Sequence, residues 1–332
     1  MNYQSSNLKA VLLFLTTIVA IFSCTKEDTT VKRTDNAMKI TNAQHESCQN
    51  PCFSPDGKYI VYTRFLNGYN IGPSELVIIK IDGSDEKVIV PASYSDNVNV
   101  PFGSWVDDKI CFSSDRDEGA DEIWMVNRNG TGLTKLTTHD ESTGIYYIEP
   151  VFNPQNTDFI AFEYVTGKND KTAIHQIALL NTTDGQIKLL TNGTYNDRLP
   201  SWSNDGSKIL FQRIKYGQDE GWDIYIADIE VTNAAPLSNI RSISQSVSDD
   251  TDCSWSYNDK YILSSSNYGG LDLPNIFMFP IDKNSDPIRI TSSSSNEEGA
   301  ASQSHDGKYI AFESHNGESE DYPSDIWIIE LK

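Results

Sequence analysis

The amino-acid sequence predicts an all-β protein, a six-bladed β-propeller with four-stranded antiparallel blades. A motif that recurs six times, apolar–polar alternation inside each copy, and chain ends that complete one another all point to it. The copies are CFSPDGKYIVYTR, SWVDDKICFSS, VFNPQNTDFIAFEY, SWSNDGSKILFQR, SWSYNDKYILSSS and SQSHDGKYIAFES. Their anchor residues Phe53, Trp105, Phe152, Trp202, Trp255 and Gln303 are spaced by 52, 47, 50, 53 and 48 residues. A period of this length marks blades or stacked repeats, each too small to bury its apolar face alone.

Each copy reads as a short strand ending at the anchor, a tight turn, and an alternating strand. Asp56-Gly57, Asp205-Gly206 and Asp306-Gly307 supply the pair favoured in tight hairpins. The third strands are ELVIIKI from Glu75, EIWMV from Glu122, HQIALL from His175, DIYIADI from Asp223, NIFMFPI from Asn275 and DIWIIEL from Asp325. They are β-branched and aromatic, without a helical period. A fourth strand ends in a threonine after an apolar residue, at Thr137, Thr191 and Thr291, and blade four is irregular here. MKIT, ending at Thr41, is a fourth strand without a blade, whereas the last copy lacks one after DIWIIEL. Pairing the two closes the ring and hides two sheet edges that would otherwise invite aggregation. An open solenoid would instead need capping repeats.

The SPDGK-containing repeat resembles the PD40, or TolB-type, propeller repeat from Ala37 to Lys332. The resemblance implies a propeller of the kind found in TolB, in the non-catalytic domains of prolyl peptidases and in oligogalacturonate lyases. TolB proper carries an α/β domain before its propeller, which this sequence leaves no room for between Cys24 and the first strand. Neither a hydrolase domain nor a GxSxG elbow is present, so a complete prolyl peptidase is not expected.

Residues 1–23 read as a lipoprotein signal peptide. Lys9 precedes the apolar run from Ala10 to Ser23, which is short for a membrane span and ends at Cys24. Ala20-Ile21-Phe22-Ser23-Cys24 resembles a lipobox, and this implies lipidation of Cys24. Residues 24–36 then form a flexible polar tether, and residues 37–332 the propeller. Lys26-Glu27-Asp28 resembles a surface-export signal, and a polar linker has the same composition. The expectation is an outer-membrane lipoprotein on the periplasmic or the cell-surface face, held to the membrane through its lipid alone.

Removing residues 1–23 leaves 25 basic and 47 acidic side chains, a formal charge of −22. Such a charge repels phosphate, so nucleic acid is excluded as a partner. Export permits disulfides, yet Cys48 and Cys52 on one extended strand sit too far apart to bridge without a turn. Cys111 alternates as a small core residue. No histidine pair has metal-binding spacing, no HExxH occurs, and Gly269-Gly270 is a turn rather than a phosphate loop.

Loops entering the innermost strands of a propeller converge at the channel mouth. Here they carry His45, Glu46, Asn97, Asn99, Tyr147, Glu149, Asp197, Arg198, Asp249, Asp250, Asp252, Glu297 and Glu298. That acidic ring would draw a basic peptide segment or a cation such as Ca²⁺, although no cofactor spacing is visible. Glu149, Asp197, Arg198, Asp250 and Asp252 are the expected ligand contacts. Asp115-Arg116-Asp117-Glu118 with Asp121 and Glu122 reads as a solvated loop. Tyr69, Tyr146, Tyr147, Tyr195, Tyr216, Trp222, Tyr268 and Tyr322 are candidates for gripping peptide or sugar, while Trp105, Trp202 and Trp255 belong to the core. The function expected is non-catalytic binding of an envelope protein, peptide or glycan. The alternative is a carbohydrate-active lyase or hydrolase in the channel, which needs three or more histidines or carboxylates converging on one point.

Overall fold

A computed structural model describes residues 33–92, 98–99, 104–117, 119–139, 141–167, 172–218, 221–232, 236–244, 248–316 and 323–331. The leader, Cys24, most of the tether, Asn97, Glu118 and Tyr322 lie outside the described residues. Strand β1 (Met38–Lys39) precedes six antiparallel sheets. Blade 1 is β2 (Ser47–Phe53), β3 (Tyr59–Phe65), β4 (Ser74–Lys80) and β5 (Lys87–Val90). In blade 2 two short pieces, β6 (Val98–Asn99) and β7 (Trp105–Val106), pair with β8 (Lys109–Ser114), followed by β9 (Glu122–Asn127) and β10 (Thr134–Lys135). Blade 3 is β11 (Ile145–Phe152), β12 (Phe159–Thr166), β13 (Ile174–Asn181) and β14 (Ile187–Leu189). Blade 4 is β15 (Tyr195–Trp202), β16 (Lys208–Lys215), β17 (Asp223–Asp228) and β18 (Ser238–Ser242). Blade 5 is β19 (Asp250–Trp255), β20 (Tyr261–Ser266), β21 (Asn275–Pro280) and β22 (Ile288–Arg289). Blade 6 holds β23 (Glu297–Gln303), β24 (Tyr309–His315) and β25 (Asp325–Glu330), with β1 as its fourth strand.

The expected six blades and their closure by the N-terminal strand are therefore present. Met38 pairs with Ile328 and Lys39 with Trp327. Beyond that two-residue ladder, the Ile40 N–H donates to the Ile326 carbonyl (2.9 Å) and the Thr41 hydroxyl to Asp325 (2.7 Å). Thr41 Oγ1 in turn accepts the Ile326 N–H (2.9 Å). The same bond explains the recurring threonine. Thr137 accepts from Ile123, Thr191 from Ile177 and Thr291 from Ile276, each capturing a third-strand N–H. In the irregular fourth blade Ser244 does this for Ile224. Replacing Thr41 by valine keeps the volume but strands the buried Ile326 N–H and takes one hydrogen bond from Asp325, so the urea midpoint should fall by the equivalent of about 1–3 kcal/mol.

The SPDGK turn is the expected tight connection, fixed by side-chain hydrogen bonds. Five residues separate Phe53 from Tyr59, only Gly57 is left-handed (φ 67°), and Asp56 accepts from the Ser54 hydroxyl (2.7 Å) and the Lys58 N–H (3.1 Å). Ser203/Asp205 and Ser304/Asp306 repeat the arrangement. The serine and aspartate therefore specify the turn through their own hydrogen bonds, as Asx and serine side chains do in turns generally.

Buried apolar side chains among the described residues gather in six clusters, one at each blade boundary. The anchor tryptophans lie there, as expected of core residues. The indole N–H of Trp202 donates to the Val151 carbonyl of blade 3 (3.1 Å), and that of Trp255 to Ser201 of blade 4 (3.3 Å). Cys48, Cys52, Cys111 and Cys253 are buried thiols outside any disulfide, and Cys48 and Cys52 share strand β2 without bridging.

Candidate functional site

The innermost strands are neighbours around the ring and carry a repeated irregularity. Each of β2, β11, β15, β19 and β23 shifts register against its partner strand. At each shift a residue other than glycine is left-handed: Asn50, Glu149, Leu199, Asp252 and Ala300, with φ between 50° and 54°. All five lie three positions before their anchors. Side chains seldom adopt this conformation, so five in register need outside support.

The support comes from neighbouring blades. The Leu199 N–H donates to Glu163 of blade 3 (3.2 Å), the Asp252 N–H to Gln212 of blade 4 (3.0 Å), and the Asn50 N–H to Glu313 of blade 6 (2.9 Å). Asp252 in turn accepts the Ala300 N–H of blade 6. A bulge turns its N–H out of its own ladder, and here the next blade's polar side chain receives it.

This construction concentrates acids in the channel. Glu149 and Asp252 are half-buried. Burial, with Glu163 and Asp252 nearby, pushes Glu149 up to about 8 against the pull of Arg198. Burial raises Asp252 to about 6, and raises Glu313 to about 7 despite the hydrogen bonds it accepts from Asn50 and Tyr69. Desolvation penalises the charged form in each case. Glu163 behaves oppositely: burial pushes it up, but Arg198 (3.1 Å), His175 and the Leu199 N–H outweigh this and hold it ionised.

One cluster at the mouth was not anticipated. Residues 66–73 join β3 to β4, and from this segment Tyr69 reaches blade 6, donating its hydroxyl to Glu313 (2.9 Å) and laying its ring against His315 (4.1 Å between centroids). His315 Nε2 stands 3.8 Å from Glu297. Tyr69 was singled out only as a loop aromatic, and His315 not at all. Glu163 and Glu313 were detectable, because FEY and FES place them at the same repeat position, following a strand core.

The five expected contacts divide into two groups. Glu149 and Asp252 line the channel, and Arg198 lies beside them, paired with Glu163 and 5.9 Å from the Trp222 ring. Asp197 is turned away, buried in a two-point pair with Arg213 (2.6 and 3.0 Å). Asp250 is fully buried and accepts from Ser266 (2.5 Å) and Ser248 (3.2 Å). Both sit five positions before their anchors, like buried Cys48, Tyr147 and Glu298.

Elsewhere at the mouth, Glu46 accepts the N–H groups of Gln44 and His45, which hold it at about 2. Asp249 caps the N–H groups of Gly221 and Trp222. The loop expected to be solvated is partly internal: Glu122 is buried against Thr137 and His139, and burial raises Asp121 to about 7. Tyr147 packs on Phe162 and Tyr164, and Tyr268 on Phe277 and Phe279, whereas Tyr195 and Tyr216 are exposed. Among the described residues no three His, Cys, Asp or Glu side chains form a group able to hold a metal.

A family model described as the TolB beta propeller domain, PD40, matches residues 21–221. The chain belongs to the TolB β-propeller family. Solved structures agree on the fold. TolB from Acinetobacter baumannii superposes with a TM-score of 0.58 at 16% identity, over 84% of this chain and 65% of its own. The TolB-family chain thus spans just under two thirds of that protein. A putative TolB from Agrobacterium tumefaciens gives 0.57 at 16% identity, covering 86% and 91%. Oligogalacturonate lyase from Vibrio parahaemolyticus gives 0.54 at 13% identity, covering 90% and 82%. No curated protein matches this TolB-family sequence.

Proposed function

We propose that this protein is a non-catalytic binding propeller of the bacterial cell envelope, tethered through lipid on Cys24, which captures a basic protein segment at its channel mouth. The observation that carries this is the set of carboxyls at Glu149, Asp252 and Glu313, drawn from three blades and raised to about 8, 6 and 7. Burial raises all three, so an arriving cation that restores their charge meets carboxyls that water solvates poorly. Arg198 and Glu163 fix one wall, while Asp197 and Asp250 hold the strands that present it. A lyase or hydrolase would need catalytic groups converging on one point, whereas this set is three carboxyls with no histidine among them. The lipobox-like leader supports the envelope location.

The test is capture of a lysine-rich peptide, and of proteins from solubilised envelope, by the wild type and by the Glu149→Gln, Asp252→Asn, Glu313→Gln triple variant. The variant should bind the peptide about tenfold or more weakly, the size expected when charged contacts are lost from a desolvated site. Wild-type affinity should rise from pH 5 to pH 8 as the three carboxyls ionise. Equal binding by both proteins would overturn the proposal. Unfolding will not confuse the result. Folded carboxyls with raised pKa values favour the native state at low pH, and that advantage is lost as pH rises from about 4.5 through about 8. The amides remove this cost, so at pH 8 the variant should be at least as stable as the wild type.

A further inference from the structure

The chain enters the ring at one fixed point. Arg33 is almost wholly covered, with 7% of its side chain exposed. Its guanidinium lies 4.7 Å from the Trp327 ring centroid and 5.1 Å from that of Phe312. It pairs with Asp35 (2.9 and 3.0 Å) and with the buried Glu298 (2.7 Å). Asp35 accepts the Ser292 N–H (2.7 Å), and the Thr34 N–H donates to the Ser292 hydroxyl (3.0 Å). Ser292 lies between β22 and β23, in a loop that enters an innermost strand, and Glu298 is the second residue of β23. Residues 33–35 are therefore clamped on the mouth face. A stacked guanidinium with two carboxylate partners is a planar, directional attachment, unlike a loose lysine contact.

We propose that this clamp turns the channel mouth toward the bilayer that anchors the chain, so that the segment captured there is presented at the same membrane surface. The inference rests on lipidation of Cys24. From Cys24 to Arg33 is nine residues, a stretch of chain that can span about 30 Å at most. Innermost strands of seven or eight residues, at about 3.3 Å each, put the SPDGK-type turns about 25 Å farther from the membrane.

The test uses full-length lipidated protein in phosphatidylcholine vesicles containing nitroxide-headgroup lipid. A fluorophore is placed at Gln44→Cys, exposed in a mouth loop, or at Ser207→Cys, exposed in the opposite turn. The Gln44 probe should lose most of its fluorescence and the Ser207 probe little. Arg33→Ala, with its fold verified by circular dichroism, should shrink that difference. Protein that binds vesicles with both probes quenched alike overturns the orientation alone. Protein that stays off the vesicles overturns the lipid anchor, and the orientation with it.

Discussion

Trp202→Ala should lower the unfolding free energy by about 3–5 kcal/mol, the range for deleting a buried aromatic side chain, and it should do so in one cooperative transition. Trp202 is only 6% exposed and packs at the boundary of blades 3 and 4 with Val151, Ile177, Ile209 and Phe211. Its loss removes a large apolar area, leaves a void that strands on both sides cannot collapse to fill, and deletes the indole hydrogen bond to the Val151 carbonyl. Guanidinium unfolding followed by intrinsic fluorescence measures the loss. A cost below about 1 kcal/mol would mean that the boundary repacks, contrary to the close packing of protein interiors. Trp255→Ala is the matching experiment one boundary on.

Arg213→Ala should cost nearly as much, about 3–5 kcal/mol near pH 8, because it leaves a buried carboxylate without its counter-charge. Asp197 is 1% exposed, and burial raises its pKa even with Arg213 attached. The guanidinium also lies 4.7 Å from the Tyr195 ring and 5.0 Å from those of Phe211 and Tyr225, so its removal loosens packing as well. Without the arginine the Asp197 pKa should climb further. The native state then binds a proton that the unfolded state releases, and stability recovers as the pH is lowered. Part of the deficit should disappear by pH 5. A deficit independent of pH would assign the loss to packing rather than to the stranded charge. Arg213→Ala, Asp197→Asn should recover much of the loss at every pH.

The blades were legible because burial at the anchors forces the same residue types into every copy, and because a fourth-strand hydroxyl must meet a third-strand N–H. The site was legible only in part. Simple alternation does not say that Glu149 and Asp252 face the channel while Asp197 and Asp250 are turned away. The bulge adds one residue between these positions and the anchor and so resets which side faces inward. Aligning the copies on their anchors separates the two sets, at three and at five positions before. Tyr69 is different: its contact with Glu313 depends on the β3–β4 loop of blade 1 reaching across to blade 6, and no local pattern encodes that path.

The support of the bulges runs in one direction. Glu163 serves the blade after it, Gln212 the next, Asp252 the next, and Glu313 returns from the last blade to the first. The last of these links joins the end of the sequence to its beginning, so at that seam the order of the blades in the gene is separable from their order in space. A circular permutant that joins Leu331 to Arg33 through a short linker and opens at the exposed Asp205–Ser207 turn should retain every one of these links. What it changes is the point at which a tether leaves the ring, which makes the site and its presentation independently adjustable.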